Sequence, residues 1–299
     1  MSVQSPLLSR LETGRPLLVS ADAEASLRAR DVPLRGPSAL GRLIREHPGT
    51  VAEHYHHEIV CGVDVLCALT ADTIPRALAQ IGMPFRAAAL TGCAVDLALD
   101  AAEDSHRPVI VAGVLGCPAV TPPAADRIAE ELAMHATRLA AAGCELILAR
   151  GFGPSVEPGL ARLARRAAVV SAGATELPTW AVLAVDEGGF TEDGEHVEDA
   201  ARAALDGGAQ LLLLEVARAA HVAPLIGRVH DAAPGLLLGA LPATHAGETV
   251  EAWASAAVQL VDVGCRVLGG GPGTTGKHLT SLAKQLPGGD RASFWPRAG

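Results

Sequence analysis

Aromatic residues are scarce, at 3% of the chain, although hydrophobic residues make up 49%. A core built from this composition is packed mostly with Ala, Leu and Val. No Lys/Arg cluster forms a stripe, and the formal net charge is -9. Nucleic-acid binding needs a basic footprint, and an anionic membrane surface attracts polybasic segments, so neither partner is expected. No uncharged apolar run approaches the ~20 residues of a spanning helix. Residues 1–15 read as a lead-in without the basic and apolar regions of a signal peptide. The expectation is a soluble, cytoplasmic protein. The six cysteines, Cys61, Cys67, Cys93, Cys117, Cys144 and Cys265, are scattered and include no CxxC pair. In a chain of this kind they read as free thiols.

What the chain does have is eight short, continuous apolar runs. They are Leu17-Leu18-Val19, residues 62–69, residues 109–112, residues 144–149, residues 180–185, residues 210–214, residues 236–241 and residues 265–268. Continuous rather than alternating hydrophobicity suits strands buried on both faces, as in parallel sheets. Residues 38–60, 122–141, 155–168, 194–206, 219–231 and 247–262 carry apolar positions at helical spacing. Residues 71–105 allow more than one helix, broken at Pro84 and Gly92. Eightfold strand–helix alternation predicts an α/β fold, a single (β/α)8 TIM barrel. A doubly wound sheet is the competitor and usually needs fewer strands. One form recurs at Cys61-Gly62, Ala142-Gly143, Gly207-Gly208 and Val263-Gly264, each followed by a small residue, a polar one and an apolar run. The second glycine position suits a helix C-cap, which marks helix-to-strand turns on the bottom of the barrel. Composition shifts nowhere enough to divide the 299 residues. One domain is expected over 1–299, with the barrel proper at about 15–286.

The barrel rule puts ligands at the C-terminal strand ends. The candidates there are Asp22, then Thr70, Asp72 and Thr73, then Gly116-Cys117-Pro118, then Arg150-Gly151. Asp186-Glu187, Glu215, His245 and the stretch Gly269-Gly270-Gly271-Pro272-Gly273-Thr274-Thr275-Gly276 follow the later strands. That stretch is neither a P-loop nor a GxGxxG. Its glycines allow close backbone approach to a ligand and Thr274 or Thr275 can cap the next helix, which favours an anion. A plain tight turn is the other reading. Arg150, Glu215 and His245 could converge over the mouth, the Arg–Glu pair fixing a carboxylate or amine and Glu215 and His245 doing acid–base work. An internal ion pair closing the barrel top is the alternative. Cys117 is expected in the pocket as a passive thiol, since no His is fixed beside it. His54, His56 and His57 read as a solvated helix end on the bottom face rather than a metal site. His106, His135, His196, His221 and His230 are expected to be exposed. His278 either contacts the glycine-rich loop or faces solvent.

These residues carry a resemblance to the homocysteine S-methyltransferase family. The final segment resembles the family's strand, Gly-Gly-Cys-Cys-Gly-Thr motif and following Pro-Glu-His, with Gly269-Gly270 and Gly273-Thr274 matching and His278 on the family's histidine. Gly62-Val63-Asp64-Val65 with Thr70 resembles its second-strand segment, and residues 113–118 resemble its Gly-Ser-Leu-Gly-Pro turn. Leu241-Pro242 resembles a remnant of its Tyr-Pro-Asn turn. The resemblance spans residues 15–285 in order. It implies a barrel that binds zinc through three cysteines and methylates a thiol. The departures fall on those functional positions. Gly271 and Pro272 stand at the cysteine pair, Leu214-Glu215 at the Asn-Cys pair, Arg150 at the Glu that holds the amino acid, and Leu69 at the Asn after strand two. Gly and Pro offer no side-chain ligand, so no metal and no other cofactor are expected.

The expected ligand set is Asp22, Thr70, Asp72, Cys117, Arg150, Gly270, Gly271, Gly273 and Thr274, with Arg150 favouring a carboxylate or phosphate. Three functions follow. The first is a divergent barrel binding a small polar or anionic metabolite, which could act as a zinc-independent transferase. The second is a catalytically inactive homologue that acts as a binding or regulatory partner. The third is a conventional thiol methyltransferase. A small-molecule ligand is expected, together with either a homo-oligomer or pairing with an active relative.

Overall fold

The computed structural model describes residues 11, 15–117, 120, 122–153 and 157–286. Pro118, most of the lead-in and the start of the segment expected at 155–168 lie outside them. Eight strands close in sequence order into one barrel, and every neighbouring pair is parallel. The strands are β1 (Leu17–Val19), β2 (Val65–Ala68), β3 (Ile110–Cys117), β4 (Leu146–Phe152), β5 (Thr179–Val185), β6 (Leu211–Val216), β7 (Leu237–Pro242) and β8 (Val267–Gly269). Each falls on or beside one of the eight apolar runs.

The helices are α1 (Ala23–Arg28), α2 (Ala39–Glu46), α3 (Pro48–Val60), α4 (Pro75–Ala79), α5 (Ala87–Glu103) and α6 (Ala125–Ala141). They continue as α7 (Pro158–Gly173), α8 (Val197–Asp206), α9 (Val222–Ala232), α10 (Val250–Val258) and α11 (Gly276–Gln285). Pro48 divides the segment expected at 38–60 into α2 and α3, because proline sits well at a first helical turn and badly inside one. None of the helices is long and apolar enough to cross a membrane among the described residues.

Strand periodicity sorts the side chains into two cores. Leu17, Val65, Ile110, Leu146, Leu148, Trp180, Leu211, Leu213 and Val267 fill the barrel interior. The outward faces pack under the helices in a second, larger cluster. Trp180 fills much of the lumen and is fully buried. The four repeated glycines, Gly62, Gly143, Gly208 and Gly264, all adopt positive φ. After each, the next amide returns to a carbonyl five residues back, as Val63 N does to Glu58 O. That is the Schellman C-cap the repeat predicts.

One irregularity decides where the site lies. The β3–β4 register shifts between Leu115 and Gly116, pairing Leu115 with Ala149 and Gly116 with Gly151. Arg150 is therefore the extra residue of a β-bulge, a feature that re-aims side chains at barrel rims. Gly116 and Gly151 have φ of +108° and +78°. A Cβ on Gly116 would stand 2.0 Å from Gly151 O, so only glycine permits this approach.

Candidate functional site

Arg150 and Glu215 form an ion pair between the ends of β4 and β6. Both side chains remain partly exposed, at 27% and 19%. Glu215 is in register with Ala184 of β5 and Leu241 of β7, so it rises from the same rim. Burial pulls the Arg150 guanidinium below its ordinary value, while Cys67 and the Asp22 carboxylate act in the opposite sense. An arginine remains charged under such opposing effects.

Glu215 of this pair, but not Arg150, lines an open cleft of about 520 Å³ over the ends of β5 to β8. Glu215 forms one wall, Pro272 and Ala243 another, and Phe190 and Glu192 a third. A cleft of this size at the C-terminal end of a barrel suits a small molecule.

The glycine-rich loop is a self-satisfied turn. Gly270 N donates to Ser20 O at 3.3 Å and Gly271 N to Pro242 O at 3.1 Å. Gly273 N donates to Asp22 Oδ2 at 2.9 Å, and Thr274 N donates to Gly271 O at 3.2 Å. Thr275 N donates to His278 Nδ1 at 3.1 Å, closing a capping box on α11. Asp22 also accepts from Glu24 N and Ala25 N, capping α1 through its other oxygen. Thr274 is buried, donating to Gly271 O and accepting from Asp22 N. The chain thus supplies its own carboxylate to this loop where an anionic ligand was expected. His278 makes the loop contact and meets Trp253 edge-on at 5.3 Å.

Three expected ligand residues lie behind the mouth. Thr70 is fully buried, and its hydroxyl accepts from Val114 N at 2.8 Å, so it extends the β2–β3 pairing. Asp72 is buried and accepts from Leu40 N at 3.1 Å, so it caps α2 from another segment. Burial raises its carboxyl above the usual range, with the Cys117 thiol opposing. Cys117 is only 1% exposed and its Sγ lies 3.5 Å from Asp72 Oδ1. Cys117, expected as a passive thiol in the pocket, packs instead in the apolar cluster under the helices. His245 Nδ1 lies 2.8 Å from Glu248 Oε2 of the following turn, close enough for an ion pair when the imidazole is protonated.

Two histidine expectations also change. His54 is buried, and desolvation lowers its pKa to about 3, with Arg30 and His57 adding to the effect. His135 is fully buried against Thr70 O at 3.2 Å, and desolvation lowers it to about 4. Both lie on the buried faces of their helices.

The sequence reading passed over Cys67, Glu58 and Phe190. Cys67 follows Val65 by two residues and packs against the barrel interior. Its backbone amide donates to Ser20 Oγ at 3.0 Å, and burial pushes its thiol up to about 12. Period-two spacing along β2 was the available signal. Glu58 is fully buried below the rim and accepts from Ala21 N at 2.9 Å. Burial raises its carboxyl above the usual range.

The family model for homocysteine S-methyltransferase matches residues 20–286. Among solved structures, homocysteine methyltransferase MmuM from Escherichia coli in its metallated form superposes with a TM-score of 0.76 at 18% identity, covering 93% of this chain and 99% of that one. Its oxidised form gives 0.75 at 19% identity, covering 94% and 100%. A multifunctional pyruvate carboxylase from Rhizobium etli gives 0.52 at 12% identity, covering 88% of this chain and 24% of that one. At such identities these likenesses establish the fold alone. No curated protein matches the sequence.

The resemblance implies zinc, and the donors can be tested against it. Gly271 and Pro272 bring no side-chain donor. Gly271 is packed so closely that a Cβ would stand 2.3 Å from Leu241 O. The carboxylate of Glu215 is already engaged by Arg150. Among the described residues no three His, Cys, Asp or Glu side chains gather in a metal-binding group. These positions do not fit a zinc–thiolate site, which needs several soft donors around one ion. The barrel order and the match across residues 20–286 carry the assignment: this chain belongs to the homocysteine S-methyltransferase family.

Proposed function

We propose that this chain is a divergent member of its family that binds a small zwitterionic metabolite at the C-terminal strand ends, without a zinc thiolate. The observation that carries the reading is the Arg150–Glu215 pair, whose Glu215 lines an open cleft while Arg150 stands behind it as the partner of that carboxylate. An α-amino acid presents a carboxylate and an ammonium on one carbon. Arg150 suits the carboxylate through its planar fork, and Glu215 suits the ammonium. In the free protein the two groups neutralise each other, which limits the cost of holding charges at a half-buried rim. A bare anion is a poorer fit, because Glu215 and the nearby Asp22 both repel it.

Loss of the zinc donors removes the means by which a metal lowers a thiol's pKa. The side chains that stand at the family's functional positions here, Arg150 and Glu215, are suited to binding and orienting a charged group. The self-paired rim also favours a second reading, an inactive homologue that binds a ligand or partner, since it leaves no free acid or base at the pair.

A thermal-shift series tests the first reading. α-Amino acids should raise the melting temperature, while their des-amino acids and decarboxylated amines should raise it less, since specific ligands stabilise by mass action. Elemental analysis after purification without chelator should show no stoichiometric zinc. One zinc per chain with chelator-sensitive homocysteine methylation would instead support the conventional thiol methyltransferase. Turnover with no bound metal separates a transferase from a binding protein.

A further inference from the structure

The segment between β5 and α8 is anchored by a buried ion cluster. Asp193 and Glu195 have side chains only 2% and 3% exposed. Arg165 of α7 reaches both, at 2.7 Å and 2.9 Å. Arg166 adds a bond to Glu195 at 2.6 Å, and Arg162 lies 3.5 Å from Asp193. Burial opposes ionisation of Asp193, but the Thr191 hydroxyl and Arg165 overcome it and hold the carboxyl below its usual value. From the other side, Arg228 of α9 donates to Gly188 O at 2.7 Å. The loop also closes on itself, with Asp186 N donating to Phe190 O and Phe190 N to Asp186 Oδ1. Paired, buried charges resist separation because each partner left alone is an uncompensated ion.

This anchoring fixes Phe190. Its ring is 38% exposed, packs 4.6 Å from His196, and lines the cleft that Glu215 also lines. Facing it are Ala184, Val216, Ala243 and Pro272. The charged groups lining the cleft, Asp186, Glu192 and Glu215, are all acidic.

We infer that Phe190 is the specificity-determining residue of this cleft, covering an apolar side chain of the amino acid whose head group Arg150 and Glu215 hold. The inference rests on the zwitterion reading above. A phenyl ring and an aliphatic floor stabilise a ligand in proportion to the apolar area they cover. Asp186 and Glu192 disfavour acidic side chains by like-charge repulsion. Arg165 is a positioning residue: it touches no ligand and acts by holding the loop that carries Phe190.

Isothermal titration of the full chain with glycine, leucine and glutamate tests this. Wild type should bind leucine more tightly than glycine, and glutamate most weakly. Phe190→Ala should weaken leucine about tenfold and leave glycine unchanged. Phe190→Leu should recover much of the loss. Arg165→Gln should lower leucine affinity selectively, and Arg165→Lys should restore part of it. Glycine serves as the control that a general folding defect would move. Equal losses for glycine and leucine, or no loss for either, overturn the inference. If Glu215→Gln abolishes binding while Phe190→Ala is without effect, the zwitterion reading survives and the Phe190 assignment falls. If wild type binds no amino acid, both fall.

Discussion

Acid should destabilise this barrel well above the range in which its carboxylates titrate, and two buried histidines set the window. His54 and His135 have pKa values lowered by burial to about 3 and about 4, from an ordinary 6.5. At these two sites the unfolded chain therefore binds more protons than the folded one as pH falls below 6.5, and their contribution to folding stability is lost through that interval. At pH 5 each histidine lies about 1.5 units below its unfolded pKa, which costs about 2 kcal/mol at 1.36 kcal/mol per unit. The pair costs about 4 kcal/mol, a large share of a typical 5–15 kcal/mol. Taken alone, these two histidines lower the melting temperature by about 10 °C between pH 7.5 and pH 5. The buried carboxyls of Glu58 and Asp72, raised above the usual range, act in the opposite sense by taking up protons first in the folded state. His135→Gln keeps an amide donor for Thr70 O, which lies 3.2 Å from the ring nitrogen. His54→Gln removes the other titrating group. Urea unfolding at both pH values should show each variant losing about 2 kcal/mol of the pH-dependent difference. An identical pH dependence in wild type and the double variant would refute the burial argument.

Asp22→Ala removes the α1 cap and the tether to Gly273 N, and should cost about 1–2 kcal/mol. Hydrogen exchange should show the Gly273 amide losing protection, and unchanged protection would contradict the role of that carboxylate. Gly116→Ala places a Cβ 2.0 Å from Gly151 O at a φ of +108° and should cost at least about 3 kcal/mol by chemical unfolding. A near-neutral result would mean that the Arg150 bulge does not need this approach. Asp193→Asn weakens a carboxyl held below its usual value, so its stabilising effect should be present at neutral pH and fade as pH falls below about 4. Unfolding curves at pH 7 and pH 3 that shift equally on substitution would contradict it.

The barrel was legible because strands buried on both faces must be apolar throughout, and the four Schellman glycines repeat before their strands. Asp22, Arg150 and Glu215 were legible as strand-end residues. Their partners were not. The single-residue bulge at Arg150 depends on Gly116 and Gly151 meeting across two strands, which no local pattern encodes. Thr70, Asp72 and Cys117 stand at strand ends as expected, but behind the barrel wall Thr70 bonds Val114 and Asp72 bonds Leu40 and Cys117. His135 falls on the apolar period of Ile128, Leu132 and Leu139, and His54 on that of Val51 and Tyr55, so the helical spacing held the sign of their burial and residue polarity masked it. The glycine-rich loop invited an anion, and only the fold shows that Asp22 already occupies Gly273 N.

The most direct test of the central claim is isothermal titration of one amino acid and its two half-analogues against wild type, Arg150→Gln and Glu215→Gln. The account predicts that wild type binds the zwitterion more tightly than the des-amino acid or the amine. It predicts that Arg150→Gln erases the advantage of the carboxylate and Glu215→Gln erases the advantage of the ammonium. Wild-type affinity indifferent to either charge, or unchanged affinity in both variants, would contradict it.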